Sequence, residues 1–281
     1  MDPPRGEHLV INGFDITDAT YRMKLALKNQ PWKLSLEDYL HQILASTSVL
    51  LLTPCAFSDK IQSFFEQENW TAASAAIENI YKIQQPCLPM TLQPGFFRSL
   101  SFAHALLIHF SRICFDEPDQ GVYLRWTNEI TLEAKQLSCN MRPDLTITKT
   151  VGLKWAKSLG YGEAKPAARE TDHYLVCQDL IKVALFCKHS LDEQLMDGVL
   201  GIHIVGQIKV PDSIKGLSGF IPELPSILKV LGVFDSVCVC SLTPDVIARR
   251  RAPTLPSKTF QHIISESKSR KRSCHLRRRR T

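Results

Sequence analysis

The sequence predicts an α/β protein: a central mixed β-sheet flanked by helices, with a helical N-terminal region and a disordered basic C-terminal tail. Three observations lead there. Residues 1–120 carry apolar runs at helical spacing, several of them behind a capping serine or threonine. Residues 121–244 switch between helical and β-branched texture, and residues 245–281 exchange apolar side chains for arginine, serine and proline. These ranges are the expected divisions of the chain, and 281 residues are enough to bury a substantial core.

In the first region Ser35 is placed to cap "SLEDYLHQILASTSVLLL", with Asp38 at the capping-box position. Leu36, Leu40, Ile43 and Leu44 share one face of that helix, and Pro54 ends it. Ser58 can start "SDKIQSFFEQEN", and Thr71 the alanine-rich "TAASAAIENIYKIQQ", which stops before Pro86. "FFRSLSFAHALLIHFSRICF" reads as a further helix running into "DEPDQG".

In the middle region "VYLRWTNEITLEAKQLS" is expected to be an amphipathic helix, with Ile130, Ala134 and Leu137 at helical spacing. "DLTITKT" is a strand by its β-branched content and "SLGYGEAK" a second one. Between them "VGLKWAK" is either a long hairpin tip or an extension of the strand. "TDHYLVCQDLIKVALFCKHSLDEQ" is a long helix with Leu175, Leu180, Val183 and Ala184 on one face, leaving Lys182 and Lys188 to point outward. "GVLGIHIVGQIKV" returns to strand texture, and "ELPSILKVLGVFDSVCVCSL" closes the region as a helix. From Asp245 onward twelve Lys or Arg face two acids, a net of +10, whereas the preceding residues carry a net of −4. A slightly acidic globule with a basic tail is implied.

The apolar runs "SVLLLT" and "FAHALLIHF" are too short to span a bilayer, and "MDPPRGEHLV" lacks the pattern of a secretory signal. A soluble protein without a membrane partner is therefore expected. Nine cysteines without a C-x-x-C pair suggest free thiols in a reducing, intracellular compartment. Zinc needs paired ligands that this spacing does not offer, and His104 and His109 stand five apart, off the spacing of helical metal ligands. Cys238 and Cys240 are expected on one face of a strand or at the end of a helix.

The chemistry sits in "RPD" and "EAK". Eighteen residues separate Asp144 from Glu163, and Lys165 follows two further on. On a strand, residues i and i+2 face one side, so Glu163 and Lys165 project together. An antiparallel pairing of the two strands brings Asp144 beside them. Two carboxylates so close repel, and a hard divalent cation between them relieves the repulsion. Removing either acid is then expected to cost little stability. The plainer alternative has Asp144 capping a turn and the E-x-K pair on a solvated strand edge, but "GYGEAKP" sets two glycines ahead of the acid, a mark of a bulge or close approach.

The spaced "RPD … EAK" resembles the signature of the PD-(D/E)XK nuclease superfamily, over residues 122–210. That resemblance implies a core of helix, three-stranded meander, helix and strand. It implies Asp144 and Glu163 as ligands of Mg²⁺ or Mn²⁺, the carbonyl of Ala164 as a further ligand, and Lys165 as the group that positions or activates water. It implies a helix carboxylate, Glu129 or Glu133, with Glu129 preferred for sharing a side with Ile130. It places a polar residue near the site at Gln178; the tyrosine that one subgroup carries four residues later is replaced by Lys182. The implied function is metal-dependent cleavage of phosphodiester bonds, in DNA; the alternative is a catalytically inactive nuclease fold that binds nucleic acid or acts as an effector-like interaction protein. Lys154, Trp155 and Lys157 form a basic stretch with an aromatic suited to a nucleic-acid backbone, unless Trp155 turns into the core. The run "KSRKRSCHLRRRR" is similar to a nuclear-import signal and would bind phosphate non-specifically.

Overall fold

Along Leu145–Val151 the side chains of Leu145 and Ile147 are fully buried on one face, and a four-stranded mixed sheet is built around them. The structure is a computed structural model and describes residues 7–29, 33–49, 64–65, 71, 75, 112, 114–127, 129–131, 142–205, 222 and 224–250. Two short strands, β1 (Val10–Ile11) and β2 (Phe14–Asp15), lead into helix α1 (Ile16–Lys28), followed by α2 (Leu40–Ser46). The sheet contains β3 (Val122–Trp126), β4 (Leu145–Val151), β5 (Lys154–Lys165) and β6 (Leu200–Val205), with helix α3 (His173–Gln194) between the last two. Helices α4 (Leu224–Val237) and α5 (Pro244–Arg250) follow. The strand order is β3-β4-β5-β6, antiparallel except for the parallel β5–β6 pair that α3 connects.

Residues 122–126 correct the expectation of a helix there. Val122 and Leu124 are buried while Tyr123 and Arg125 are only partly so, a two-residue period. The residues that suggested a helix, Ile130, Ala134 and Leu137, lie beyond the strand, the last two outside the described residues. The two expected strands and the long helix form where the sequence places them. "VGLKWAK" resolves as strand extension: β5 starts at Lys154 behind a tight turn at Gly152 and Leu153, where Gly152 has φ +60°.

Val122, Leu124, Leu145, Ile147 and Leu159 pack against Phe234 of α4 and the adjoining Cys238. On the opposite face Tyr161 stacks on Phe186 of α3 with ring centroids 5.2 Å apart. The outer side of α3, through Ile181 and Leu185, meets Met23, Ile43 and Leu44 of α1 and α2. Asp172 caps α3 by accepting the Leu175 N–H at 3.3 Å. At its far end Ser158 N–H donates to Gln194 Oε1 at 3.1 Å, and Ser190 Oγ donates to the Ser158 carbonyl at 2.9 Å. α3 therefore runs antiparallel to β5, its first turns over the C-terminal end of that strand.

Gly160 and Gly162 have a steric cause. A Cβ on Gly162 would stand 2.7 Å from Leu145 Cγ and 3.0 Å from the Ile202 carbonyl oxygen. The glycines let Leu145 and Ile147 lie over β5. Gly162→Ala should destabilise the fold by about 1–3 kcal/mol through overpacking, read as a lower urea midpoint; an unchanged midpoint would show that Leu145 can move aside.

Other expectations change with context. Ser35 does not cap a helix: its hydroxyl donates to Glu37 at 2.8 Å, and α2 begins only at Leu40 with no side-chain cap. Lys182 and Lys188 do not project into solvent, because α3 is covered on two sides; Lys188 is buried and paired with Asp192 at 2.5 Å. Of the two placements expected for Cys238 and Cys240 the end of a helix holds: both follow directly on α4, with Cys238 buried and Cys240 exposed. The five described cysteines are free thiols, and burial pushes Cys187 up to about 12 and Cys238 to about 11. α5 is helical where the tail was expected to begin, while the rest of the tail lies outside the described residues, as do most of the segments at 58–86 and 96–115. Among the described residues no helix is long and apolar enough to cross a membrane.

Candidate active site

From Tyr161 onward every second residue of β5 faces α3, so Tyr161, Glu163 and Lys165 share that side. The β4–β5 register begins with Leu145 against Gly162, and Asp144, one residue before β4, lies close enough to Glu163 for the two charges to act on each other. Two bonds fix it: Asp144 N–H donates to the Gly162 carbonyl at 3.0 Å, and Ala164 N–H donates to Asp144 Oδ2 at 3.0 Å. On the other flank His203 of β6 pairs with Glu163. Asp144, at the start of β4, and His203 thus flank Glu163 on its two sides.

Helix α3 closes over these residues with Asp179 and Lys182, three residues apart and so on one helix face. Lys165 Nζ lies 2.9 Å from Asp179 Oδ2, and Lys182 Nζ pairs with Glu163 Oε1. Glu163 and Asp179 are buried at 1% and 5% exposure, whereas the two lysine side chains keep 24% and 23%.

Burial drives the Glu163 carboxyl upward, Lys182 opposes it, and the charges of Asp144 and Asp179 add to the rise, leaving it at about 7. For Lys165 burial works against the ammonium, but the bond and charge of Asp179 outweigh it, so its pKa is raised. Burial holds His203 below its ordinary value, with Asp179 opposing and Lys165 assisting. The His203 Nε2 atom is buried without a hydrogen-bond partner.

The structure thus brings together Asp144, Glu163, Ala164 and Lys165. It does not bring Glu129 there: that residue is exposed and accepts from Arg125 Nη2 at 3.0 Å. Glu133 lies outside the described residues, and Gln178 is exposed on α3. Sequence reasoning passed over Asp179 and His203 and turned Lys182 outward. The available signal was the Asp179–Lys182 spacing, which offers an acid and a base complementary to Lys165 and Glu163.

Two carboxylates and a main-chain carbonyl fit a Mg²⁺ that keeps several of its waters. Among the described residues no group of three or more His, Cys, Asp or Glu side chains gathers as a fuller cage. An open groove of about 750 Å³ lies between the turn before α2 and the first turn of α3, apart from these side chains.

At the other end of β5, Trp155 keeps 43% exposure and so does not enter the core. Its ring carries the Arg125 guanidinium at 4.4 Å and meets Tyr123 edge-on at 5.7 Å. The neighbouring Lys149 and Lys154 are exposed. No family model matches the chain, and neither a curated protein nor a solved structure matches it.

Proposed function

We propose that the protein is a metal-dependent nuclease of the PD-(D/E)XK type, cleaving phosphodiester bonds in DNA. The observation that carries this reading is the gathering of Asp144, held by the Ala164 N–H, beside Glu163, with Lys165 on the same side of β5 as Glu163. The antiparallel β3-β4-β5 meander followed by α3 and parallel β6 supports it. Asp144 and Glu163 would hold Mg²⁺ or Mn²⁺ together with the Ala164 carbonyl. The bound ion would supply a Lewis acid and acidify its water. Lys165, aimed by Asp179, presents a fixed ammonium to a phosphate oxygen or to the attacking water. Because Asp179 keeps Lys165 protonated, the lysine acts as a donor and electrostatic anchor rather than as a base. The purified chain should nick supercoiled DNA with Mg²⁺ and stop when the ion is chelated; cleavage unaffected by chelation would overturn this assignment.

The nucleic acid has a second foothold at Trp155, about 25 Å along β5 from Glu163 at the rise of a strand. There an exposed ring with Arg125, Lys149 and Lys154 offers stacking and phosphate contacts. Trp155→Ala should weaken binding of a labelled single-stranded oligonucleotide about tenfold by fluorescence anisotropy while leaving the thermal midpoint in place; unchanged affinity would remove the strand from this surface. The basic tail would add salt-dependent affinity and a nuclear address.

One observation favours a second reading. Glu163 already has a cation, Lys182. In that reading the two ion pairs staple α3 to β5, and the protein binds nucleic acid without cutting it. Metal-dependent turnover separates the two.

A further inference from the structure

We propose that Lys182 is the resident counter-cation of Glu163, displaced when a divalent ion enters, and that its ammonium is then handed to a phosphate of the substrate. This inference rests on the metal-dependent reading above. The charged groups around Glu163 are Asp144, Asp179, Lys165, Lys182 and His203. Asp144 and Asp179 only add negative charge, Lys165 is engaged by Asp179, and His203 is held toward its neutral form. Lys182 alone among them is ion-paired with the Glu163 carboxylate, through Oε1, on the group a metal would share.

Three carboxyl groups against two ammonium groups leave the cluster short of positive charge. Adding a divalent ion while Lys182 stayed in place would press the ion against an ammonium inside a buried site, a repulsion of several-fold in affinity at the least. Lys182 has a way out. Its side chain is 23% exposed on a flexible four-carbon stem, so the head can swing toward solvent without unpacking α3. The released charge would stand beside the carboxylate pair, where a scissile phosphate has to lie. Lys182 is thus a positioning residue, with Glu163 as its partner before the metal arrives and the phosphate as its partner afterward.

Ca²⁺ titrated calorimetrically into the full chain provides the test. Lys182→Met should bind Ca²⁺ about tenfold more tightly than the unaltered chain, and Glu163→Gln should lose binding. Equal or weaker affinity in Lys182→Met would overturn the role of Lys182 and leave the metal site standing. No binding heat in either protein would overturn both. On the unaltered chain, Ca²⁺ should raise acetic anhydride labelling of Lys182 severalfold by peptide mass spectrometry, with exposed Lys149 as the constant control. Labelling that ignores Ca²⁺ would overturn the displacement, and this arm decides if Lys182→Met does not fold.

Discussion

Asp144→Asn and Glu163→Gln should each lower Mg²⁺-dependent DNA cleavage about a thousandfold or more, a change near 4 kcal/mol in the barrier. Each substitution removes one anionic oxygen donor from a site with only two carboxylates, so neither can be covered by a neighbour. Both keep an acceptor in place: the amide at 144 can still accept from Ala164 N–H, and the amide at 163 from Lys182. Loss of turnover with a thermal midpoint that does not fall would therefore report chemistry and not unfolding. Lys165→Ala should lose comparable activity but keep the ion, because the lysine faces Asp179 and acts on water or phosphate. Wild-type rates in Asp144→Asn would detach the acid pair from catalysis.

The second large effect is on stability against pH. The Glu163 carboxyl lies at about 7 in the folded protein against an ordinary 4.5, so the folded state holds a proton that the unfolded state has lost between those values. Stability falls as pH rises through that window, and the penalty is complete above pH 7, up to about 3 kcal/mol. The difference between Glu163→Gln and the unaltered chain, measured by urea unfolding at pH 5 and pH 8, should shift in favour of the variant at the higher pH. A difference that stays constant would mean that Lys182 fully compensates the buried charge. Glu163→Ala behaves otherwise: it leaves the Lys182 ammonium without its partner and should cost about 2–3 kcal/mol, since the lysine is partly solvated. Repulsion between two carboxylates, read from sequence alone, points to little cost or even a gain; the ion pair with Lys182 argues for a cost.

The strands of the site were legible because β-branched content and the E-x-K spacing speak for themselves over a few residues. Asp144, Glu163 and Lys165 could be placed together once "DLTITKT" and "SLGYGEAK" were taken as antiparallel neighbours, which the β4–β5 register bears out. The helix face was not legible in the same way. Lys182 and Lys188 look like solvent residues on an amphipathic helix, but α3 is packed between the sheet and α1, so both of its flanks bury charge. A single helix read alone shows one apolar stripe and does not show that a second layer lies on its other side. β3 was hidden because its five residues were pooled with the helically spaced Ile130, Ala134 and Leu137. α1 carries a plain signal, Asp15 as cap with Ile16, Ala19, Met23 and Leu27 buried behind it, that went unread among the longer apolar runs. The pair Gly160 and Gly162 signals a bulge or a close approach, and both are present: the register shifts beside Gly160, and the side chains of Ile147 and Leu145 and the carbonyls of Leu200 and Ile202 come close.

Titrating Mn²⁺ into the full chain and reading the free ion by electron paramagnetic resonance asks most directly whether Asp144 and Glu163 share a divalent cation. The unaltered chain should take up about one ion, and Asp144→Asn and Glu163→Gln should each release it. Equal uptake in all three proteins, or none in the unaltered chain, would leave the acid pair and its two lysines as a structural clasp between β5 and α3.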